Sequence, residues 1–456
     1  MTAPAASEAL SGYRSATYDD AVAPDGRVRP HARAALEAVL AHDLGALAAA
    51  VQAEVDGLGI RFGSVDGDDS WHLDPVPRTI AAADWERLEA GLAQRVRALN
   101  AFVADVYGEL RIVAEGVVPQ RVLDSADHLE PRMQGIRPRD GVWISLAGLD
   151  LVRDGDGAWL VLEDNVRTPS GIGYWPAARA ATLRRLRLPE AARPRPIDAI
   201  PELLRATLGD GRLVVLTDGP DNSAHYEHRW IADALGVPLV ESGDLEVRHG
   251  RLWHAGAALD TVYRRTNADR IDTEAGELLH PVLAAGALRV INCFGTGIAD
   301  DKLAHAYVPA MIRFYLAEDP LLEQVETFDL GEPETLERAL DVLDELVVKD
   351  RGSYGGIGVV ICPHAERADV EELRAKVRAA PAEYVAQRLV PLSTHPTVVD
   401  GALAPRHVDL RPFVLMTGPD DVRVPPGGIT RVALDAGALV VNSSQNGGAK
   451  DTWVLP

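Results

Sequence analysis

The hydrophobic period changes partway along this chain, and that change points to a mixed α/β fold. Over residues 32–57, Leu36, Val39, Leu40, Leu44, Leu47 and Val51 recur every three to four positions and predict an amphipathic helix. Over residues 84–107, Leu88, Leu92, Val96, Leu99, Val103 and Tyr107 repeat the pattern, with charges on the opposite face. Beyond that the apolar segments shorten. Residues 142–152 and 159–163 flank Arg153-Asp154-Gly155-Asp156-Gly157, a hairpin signal. Residues 198–300 read as an α/β unit with strands at 213–217, 238–241, 261–263 and 288–291 and a helix at 223–235, which predicts a small parallel sheet. Further on come a helix at 332–343, strands at 345–349 and 357–362, a helix at 368–378 and a strand at 384–387. Strand-like stretches follow at 407–416, 428–434 and 438–441. Residues 1–30, rich in Ala, Asp, Pro and Gly, read as a loose arm.

A chain of 456 residues with 47% hydrophobic content can bury the cores of two to four domains. Its formal net charge of -22 weighs against sequence-independent binding to nucleic acid or to an anionic membrane, so an anionic ligand must meet a local cationic pocket. Cys293 and Cys362 lack the spacing of a zinc site or redox pair and read as buried thiols in a reducing compartment. The first ten residues lack the pattern of a signal peptide, and no apolar run reaches membrane-spanning length. A cytoplasmic protein is expected.

Of the 46 basic residues only four are lysine: Lys302, Lys349, Lys376 and Lys450. Where arginine has displaced lysine so thoroughly, the survivors either mark places that need a compact ammonium or fall near glycines by coincidence. Lys376, in the charged helical stretch 371–378, reads as a surface residue. The other three sit beside acidic pairs or glycines.

Three groups of residues carry chemical potential. Lys349 ends a strand and precedes a glycine-rich loop containing Gly352, Ser353, Gly355 and Gly356, where backbone N–H groups can converge on phosphate oxygens. No Walker A motif or strand-linked GxGxxG occurs, and such a loop alone is more often a plain hairpin. In Leu160-Val161-Leu162-Glu163-Asp164-Asn165, alternation puts Glu163 and Asn165 on one face, about 6.5 to 7 Å apart along the backbone. Both can hold one hard cation such as Mg²⁺, with Asp150 from the preceding strand as a third ligand, or the segment is a solvated strand end. Finally, His407, Asp409 and Arg411 share a strand face and suggest a lined cleft, with Arg431 and the polar run Asn442-Ser443-Ser444-Gln445 later in the chain.

Together with Tyr263-Arg264-Arg265, Ala299-Asp300-Asp301-Lys302, Arg406-His407-Val408-Asp409-Leu410-Arg411-Pro412-Phe413, Gly428-Ile429-Thr430-Arg431 and Lys450-Asp451-Thr452-Trp453, these segments resemble the circularly permuted type 2 ATP-grasp family. Its characterised relatives include the glutathionylspermidine synthetases. The permutation shows in Glu163-Asp164-Asn165, which precedes the glycine loop where ordinary ATP-grasp enzymes place it after. The resemblance implies a helical N-terminal region (residues 1–135) and a permuted core segment with the metal ligands (136–197). An α/β substrate-side domain (198–300) and nucleotide-binding lobes (301–456) would follow. It implies ATP and Mg²⁺ as cofactors, with Lys302 and Lys349 on the phosphates, the loop 352–356 closing over them, and Gln387 to Leu389 beside adenine. Asp150, Glu163 and Asn165 would hold Mg²⁺, and Arg431, with Arg167, would steady a phosphorylated intermediate. Glutathionylspermidine synthetases carry an arginine two residues before the first metal aspartate; here that place is Gly148, which shifts phosphate stabilisation toward Arg167. The activity implied is an ATP-dependent carboxylate–amine ligase working through an acyl phosphate, with a small-molecule or peptide carboxylate and an amine acceptor as partners. A silent ATP-binding scaffold and a small-molecule kinase are the alternatives, and the oligomeric state stays open.

Overall fold

The computed structural model describes residue 10 and residues 12–60, 71–267, 270–352, 358–439 and 447–456. The first expected helix is divided in two. Asp43 accepts a hydrogen bond from the Ala46 amide at 2.8 Å, and this N-cap starts a new helix inside a continuous apolar pattern. The result is α1 (Arg33–Leu40) and α2 (Leu44–Gly57), with a bend of 91° between the helical stretch Pro30–Leu40 and α2. The short strand β1 (Arg78–Ile80) then leads into α3 (Ala82–Val106), which buries Trp85, Leu88, Leu92, Val96, Leu99 and Val103 along one face.

The expected hairpin forms from β2 (Leu146–Arg153) and β3 (Trp159–Asn165). Helix α4 (Tyr174–Arg185) leads toward a parallel four-stranded sheet ordered β10-β9-β4-β5, comprising β4 (Leu213–Thr217), β5 (Leu239–Val240), β9 (Thr261–Arg265) and β10 (Arg289–Ile291). Between β5 and β9 lies an unanticipated antiparallel trio, β6 (Glu246–Arg248), β7 (Arg251–His254) and β8 (Ala257–Ala258). Helices α5 (His225–Leu235) and α6 (Glu274–Ala284) complete the unit.

Helix α7 (Lys302–Leu316) escaped the sequence reading because Pro309 interrupts it. Residue 309 has no N–H to offer the His305 carbonyl one turn back. Gln324, on β11 (Glu323–Gln324), donates to that carbonyl instead at 2.7 Å, so the helix continues through the proline. Next comes a lobe with its own sheet, ordered β12-β15-β13-β14: β12 (Thr327–Asp329), β13 (Leu346–Asp350), β14 (Val359–Ile361) and β15 (Tyr384–Arg388). Helices α8 (Pro333–Asp341) and α9 (Arg367–Ala379) cover it, and Phe328, Leu340, Leu346, Val348 and Val377 form its core. Polar clamps tie the lobe to the body: Arg121 grips Asp329 at 2.8 and 2.7 Å, and Arg351 grips Asp301 at 3.2 and 3.0 Å.

The C-terminal strands β16 (Thr394–Val399), β17 (Ala402–Arg411), β18 (Val414–Gly418), β19 (Asp421–Arg423), β20 (Gly427–Ala433) and β21 (Gly447–Val454) join the hairpin in a ten-stranded sheet among the described residues. The stretch 407–416, read as one strand, breaks at Pro412, which has no N–H for the ladder. Residues 438–439 are not in a strand, and 440–446, with Asn442 to Gln445, lie outside the described residues. β21 went unanticipated because Ala449 through Val454 are buried without exception, which removes the polar–apolar alternation of a half-exposed strand. No single helix among the described residues is long and apolar enough to cross a membrane.

Alternation in β2 decides what faces the cleft. Ala147, Leu149 and Leu151 pack into the core shared with α3 and α7, so Gly148 and Asp150 point to the opposite face. The lysines divide as their scarcity suggested. Lys376 pairs with Glu372 one helical turn away, both exposed, while Lys450 is fully buried and donates to Asp74 and to the Pro396 carbonyl at 3.0 Å. Lys450→Met leaves the Asp74 carboxylate with two backbone amides and without its cation, and is expected to lower stability by about 3 kcal/mol in urea denaturation. A loss below about 1 kcal/mol would show that the pair is not desolvated as described.

Candidate functional site

The site grows from the β2–β3 register. Asp150 lies opposite Glu163 and Leu151 opposite Val161, which leaves Leu162 as an extra residue. Such a bulge re-aims the strand end beyond it. Asp164 turns to the helical layer, where Arg95 binds both its oxygens at 2.6 and 2.7 Å and His305 Nδ1 meets it at 2.7 Å. Against the cost of burial, Arg95 and His305 hold the Asp164 carboxyl well below its usual range, so this residue anchors the strand. Its neighbour Glu163 is left to the cleft.

That cleft, open to solvent, is lined by Glu163, Lys302, Lys349 and Gln387, with Asp300 and His305 beside them. Residues far apart in the chain therefore share one cavity. Glu163 receives no hydrogen bond among the described residues. Burial, with Asp150 nearby, pushes its carboxyl above the ordinary glutamate value, and Lys349 and Lys302 oppose the rise. Lys349 is the mirror case: burial lowers its pKa, and Glu163 works against the loss of charge. Lys302 stands at the start of α7, where Asp301 caps the helix by accepting from the Leu303 amide at 2.7 Å. Its Nζ donates to the Arg351 carbonyl at 3.1 Å, which links it to the root of the glycine loop.

The remaining candidates take different positions. Asn165 has a buried Nδ2 without a partner among the described residues. Asp150 is gripped by Arg411, Nε and Nη2 at 2.6 and 2.8 Å, and by Arg431 Nη2 at 2.7 Å. Arg431 also clasps Asp409. Arg167 donates to Asp300 at 2.7 Å and lies 3.1 Å from His128 Nε2. Gln387 donates to Thr327 Oγ1 at 3.0 Å while its buried Oε1 has no partner among the described residues; Leu389 is half-buried just beyond β15. Gly352 donates to Asp350 at 2.8 Å, whereas Ser353, Gly355 and Gly356 lie outside the described residues.

Sequence reasoning gave no part to the N-terminal region, yet Ser125 accepts from Arg351 at 2.8 Å and His128 meets Arg167. No motif marks these residues, because their role comes from the packing of the 120–130 segment. In the sequence Asp300 stands out only as a flank of Lys302; its Oδ1 accepts from the Val166 and Arg167 amides and fixes the exit of β3.

A hard dication fits this donor set. Among the described residues Glu163 offers a carboxylate with no competing donor, Asn165 a side-chain amide whose buried nitrogen has no partner, and Asp150 a second carboxylate directly across the ladder. The arrangement also costs stability. A carboxyl raised by folding favours its neutral form, so stability falls as pH climbs from the ordinary glutamate value to the raised one. Glu163→Gln removes that penalty, and its urea midpoint at pH 7 is expected to exceed that of the unaltered chain. A lower midpoint would show that attraction to Lys349 and Lys302 outweighs that penalty.

Comparisons with known proteins agree with this architecture. The description "Circularly permuted ATP-grasp type 2" matches residues 77–433. A Frankia casuarinae protein named "Putative glutamate--cysteine ligase 2-2" is 42% identical over 98% of this chain and 54% of its own length. An uncharacterised protein of Synechocystis sp. is 42% identical over 87% of this chain and 88% of its own. This chain spans about half the length of the Frankia relatives it matches. The structure of a glutathione synthetase-like effector from Globodera pallida superimposes with a TM-score of 0.61 at 12% identity, over 91% of this chain and 98% of that one, which is a likeness of fold. With the family match running from β1 to the end of β20, the chain belongs to the circularly permuted ATP-grasp type 2 family.

Proposed function

We propose that the chain is an ATP-dependent carboxylate–amine ligase that uses Mg²⁺ and an acyl-phosphate intermediate. The observation that carries this reading is the shared cleft, in which a carboxylate with no hydrogen-bond donor among the described residues faces two of the chain's four lysines. Family membership supports ATP as the nucleotide, and the names of the Frankia and Globodera proteins are in keeping with carbon–nitrogen ligation.

In this mechanism Lys302 and Lys349 would hold the phosphate oxygens of ATP, and Glu163, Asn165 and Asp150 would hold the metal ion. The ion, when bound, supplies charge neutralisation to the phosphates. A substrate carboxylate oxygen attacks the γ-phosphorus, and the bond to the ADP oxygen breaks. The amine nitrogen then attacks the acyl carbon, inorganic phosphate leaves with the former carboxylate oxygen, and the ammonium protons lost are released to solvent. Phosphoryl transfer of this kind needs positioning and charge stabilisation more than a protein nucleophile, which suits a cleft of lysines and carboxylates. Arg431 and Arg167 steady the developing phosphate charge. Burial of Cys293 and Cys362 as free thiols suits a reducing compartment, the cytoplasm in this reading.

Lys349→Met is expected to weaken ATP binding at least about tenfold in calorimetry, as loss of a charge-assisted phosphate contact requires. Unchanged affinity would remove Lys349 from the nucleotide site. Hydroxylamine added to the chain with MgATP and pooled amino acids or short peptides is expected to yield a hydroxamate. Phosphate release with no hydroxamate and no amide would favour hydroxyl phosphorylation, and no release with any acceptor would favour the silent scaffold.

A further inference from the structure

Asp150 has two possible employments, and they exclude one another in part. In the structure its carboxylate is saturated from one side by three N–H bonds, two from Arg411 and one from Arg431. Burial alone would raise its carboxyl pKa, but the two guanidinium groups outweigh burial and hold the group ionised. Asp409, paired across β17 and β20 with Arg431, closes the arrangement as two carboxylates with two guanidinium groups. The side chain of Asp150 is 1% exposed and those of Arg411 and Arg431 are 16% and 12%. Nearly enclosed and charge-balanced, the cluster offers an incoming anion no surplus positive charge.

The backbone is shaped to bring Arg411 here. Its aliphatic stem crosses β2 over Gly148, where an added Cβ would lie 3.3 Å from Arg411 Cδ and 2.8 Å from Pro169 Cβ. A side chain here would collide with Pro169 and crowd the arginine stem. The free end of the guanidinium reaches the Ser170 carbonyl, 3.3 Å from Nη1, on the segment that continues from the metal-facing end of β3. Arg411 thus spans from the carboxylate pair of β2 and β3 to the loop beyond it.

We propose that Arg411, with Arg431, forms an oxyanion subsite that becomes available only when Asp150 turns toward a divalent cation beside Glu163. This rests on the ligase reading and deepens it by coupling the acid's place to the nucleotide's. A carboxylate that shares its charge with a hard dication neutralises a guanidinium less, so the pair then attracts the planar, bidentate oxygens of a carboxylate or a phosphate. Binding of metal and nucleotide creates the site for the acid and for the phosphoryl group it acquires, and by linkage an anion there tightens the metal. Substrates accordingly bind in order, metal–nucleotide first. Without the metal, Asp150 acts as an internal stand-in for the anion and keeps the subsite closed.

Inorganic phosphate is a suitable probe, because it is both the product and a simple oxyanion. Its binding to the full chain is measured by calorimetry at constant ionic strength with saturating ADP, once with Mg²⁺ and once with EDTA. The proposal expects at least tenfold tighter phosphate binding with Mg²⁺. Arg411→Met is expected to keep ADP binding and lose the Mg²⁺-dependent gain, which separates the subsite from direct coordination of phosphate by the metal. Asp150→Asn is expected to bind phosphate similarly with and without Mg²⁺, because the internal counter-charge is gone; circular dichroism of each variant verifies its fold. Equal phosphate affinity in Mg²⁺ and EDTA with ADP bound to the unaltered chain overturns the proposal while leaving the nucleotide reading intact. A full Mg²⁺ gain in folded Arg411→Met also overturns it. Failure of ADP to bind at all is a different result, and it overturns the nucleotide reading and this inference together.

Discussion

Two carboxylates facing each other across one antiparallel ladder are the constraint around which this molecule is arranged. Asp150 and Glu163 stand opposite one another on β2 and β3, both largely withdrawn from water, and like charges so placed are costly without compensation. Each has its own set of cations, delivered by elements distant in sequence. Arg411 and Arg431 reach Asp150 from β17 and β20, while Lys302 and Lys349 approach Glu163 from α7 and the β13 lobe. The compensation is unequal. Asp150 is matched by direct ion pairs, whereas Glu163 receives only longer-range help and keeps an elevated pKa.

That inequality separates structural charge from functional charge within a few residues. Asp164, adjacent to Glu163, is saturated by Arg95 and His305 and fixes the strand against α3 and α7. Asp300 and Asn292 fix the exit of the same strand, the first through the Val166 and Arg167 amides and the second through their carbonyls. Strand β3 is therefore clamped immediately beyond Glu163, and the clamps hold in place a carboxylate that receives no hydrogen bond among the described residues, where free movement would carry it to water. Groups left underpaired in an otherwise saturated framework are where binding energy is available.

Much of this was legible in the chain. The period change located α3 and the β2–β3 hairpin, and the scarcity of lysine separated Lys302, Lys349 and Lys450 from the exposed Lys376. Alternation along β3 placed Glu163 beside Asn165, and the cleft brings Glu163 together with Lys302, Lys349 and Gln387. The unread parts have physical reasons. The division of α1 from α2 depended on one capping aspartate inside an unbroken apolar pattern, and α7 depended on a glutamine from another strand replacing the bond Pro309 cannot make. β21 is buried on both faces and so carries no alternation. Arg411 was visible as part of a polar strand face, but its reach to Asp150 over Gly148 is a tertiary fact with no local signature.

The central claim is that a metal-bound nucleotide lies between Glu163 with Asn165 and Lys302 with Lys349. A crystal of the full chain soaked with Mn²⁺ and a non-hydrolysable ATP analogue tests it through anomalous scattering. The account expects one manganese peak shared by Glu163 and Asn165, with triphosphate oxygens running from it toward Lys302 and Lys349. A nucleotide bound elsewhere, or one in this cleft with manganese absent from Glu163, would contradict it.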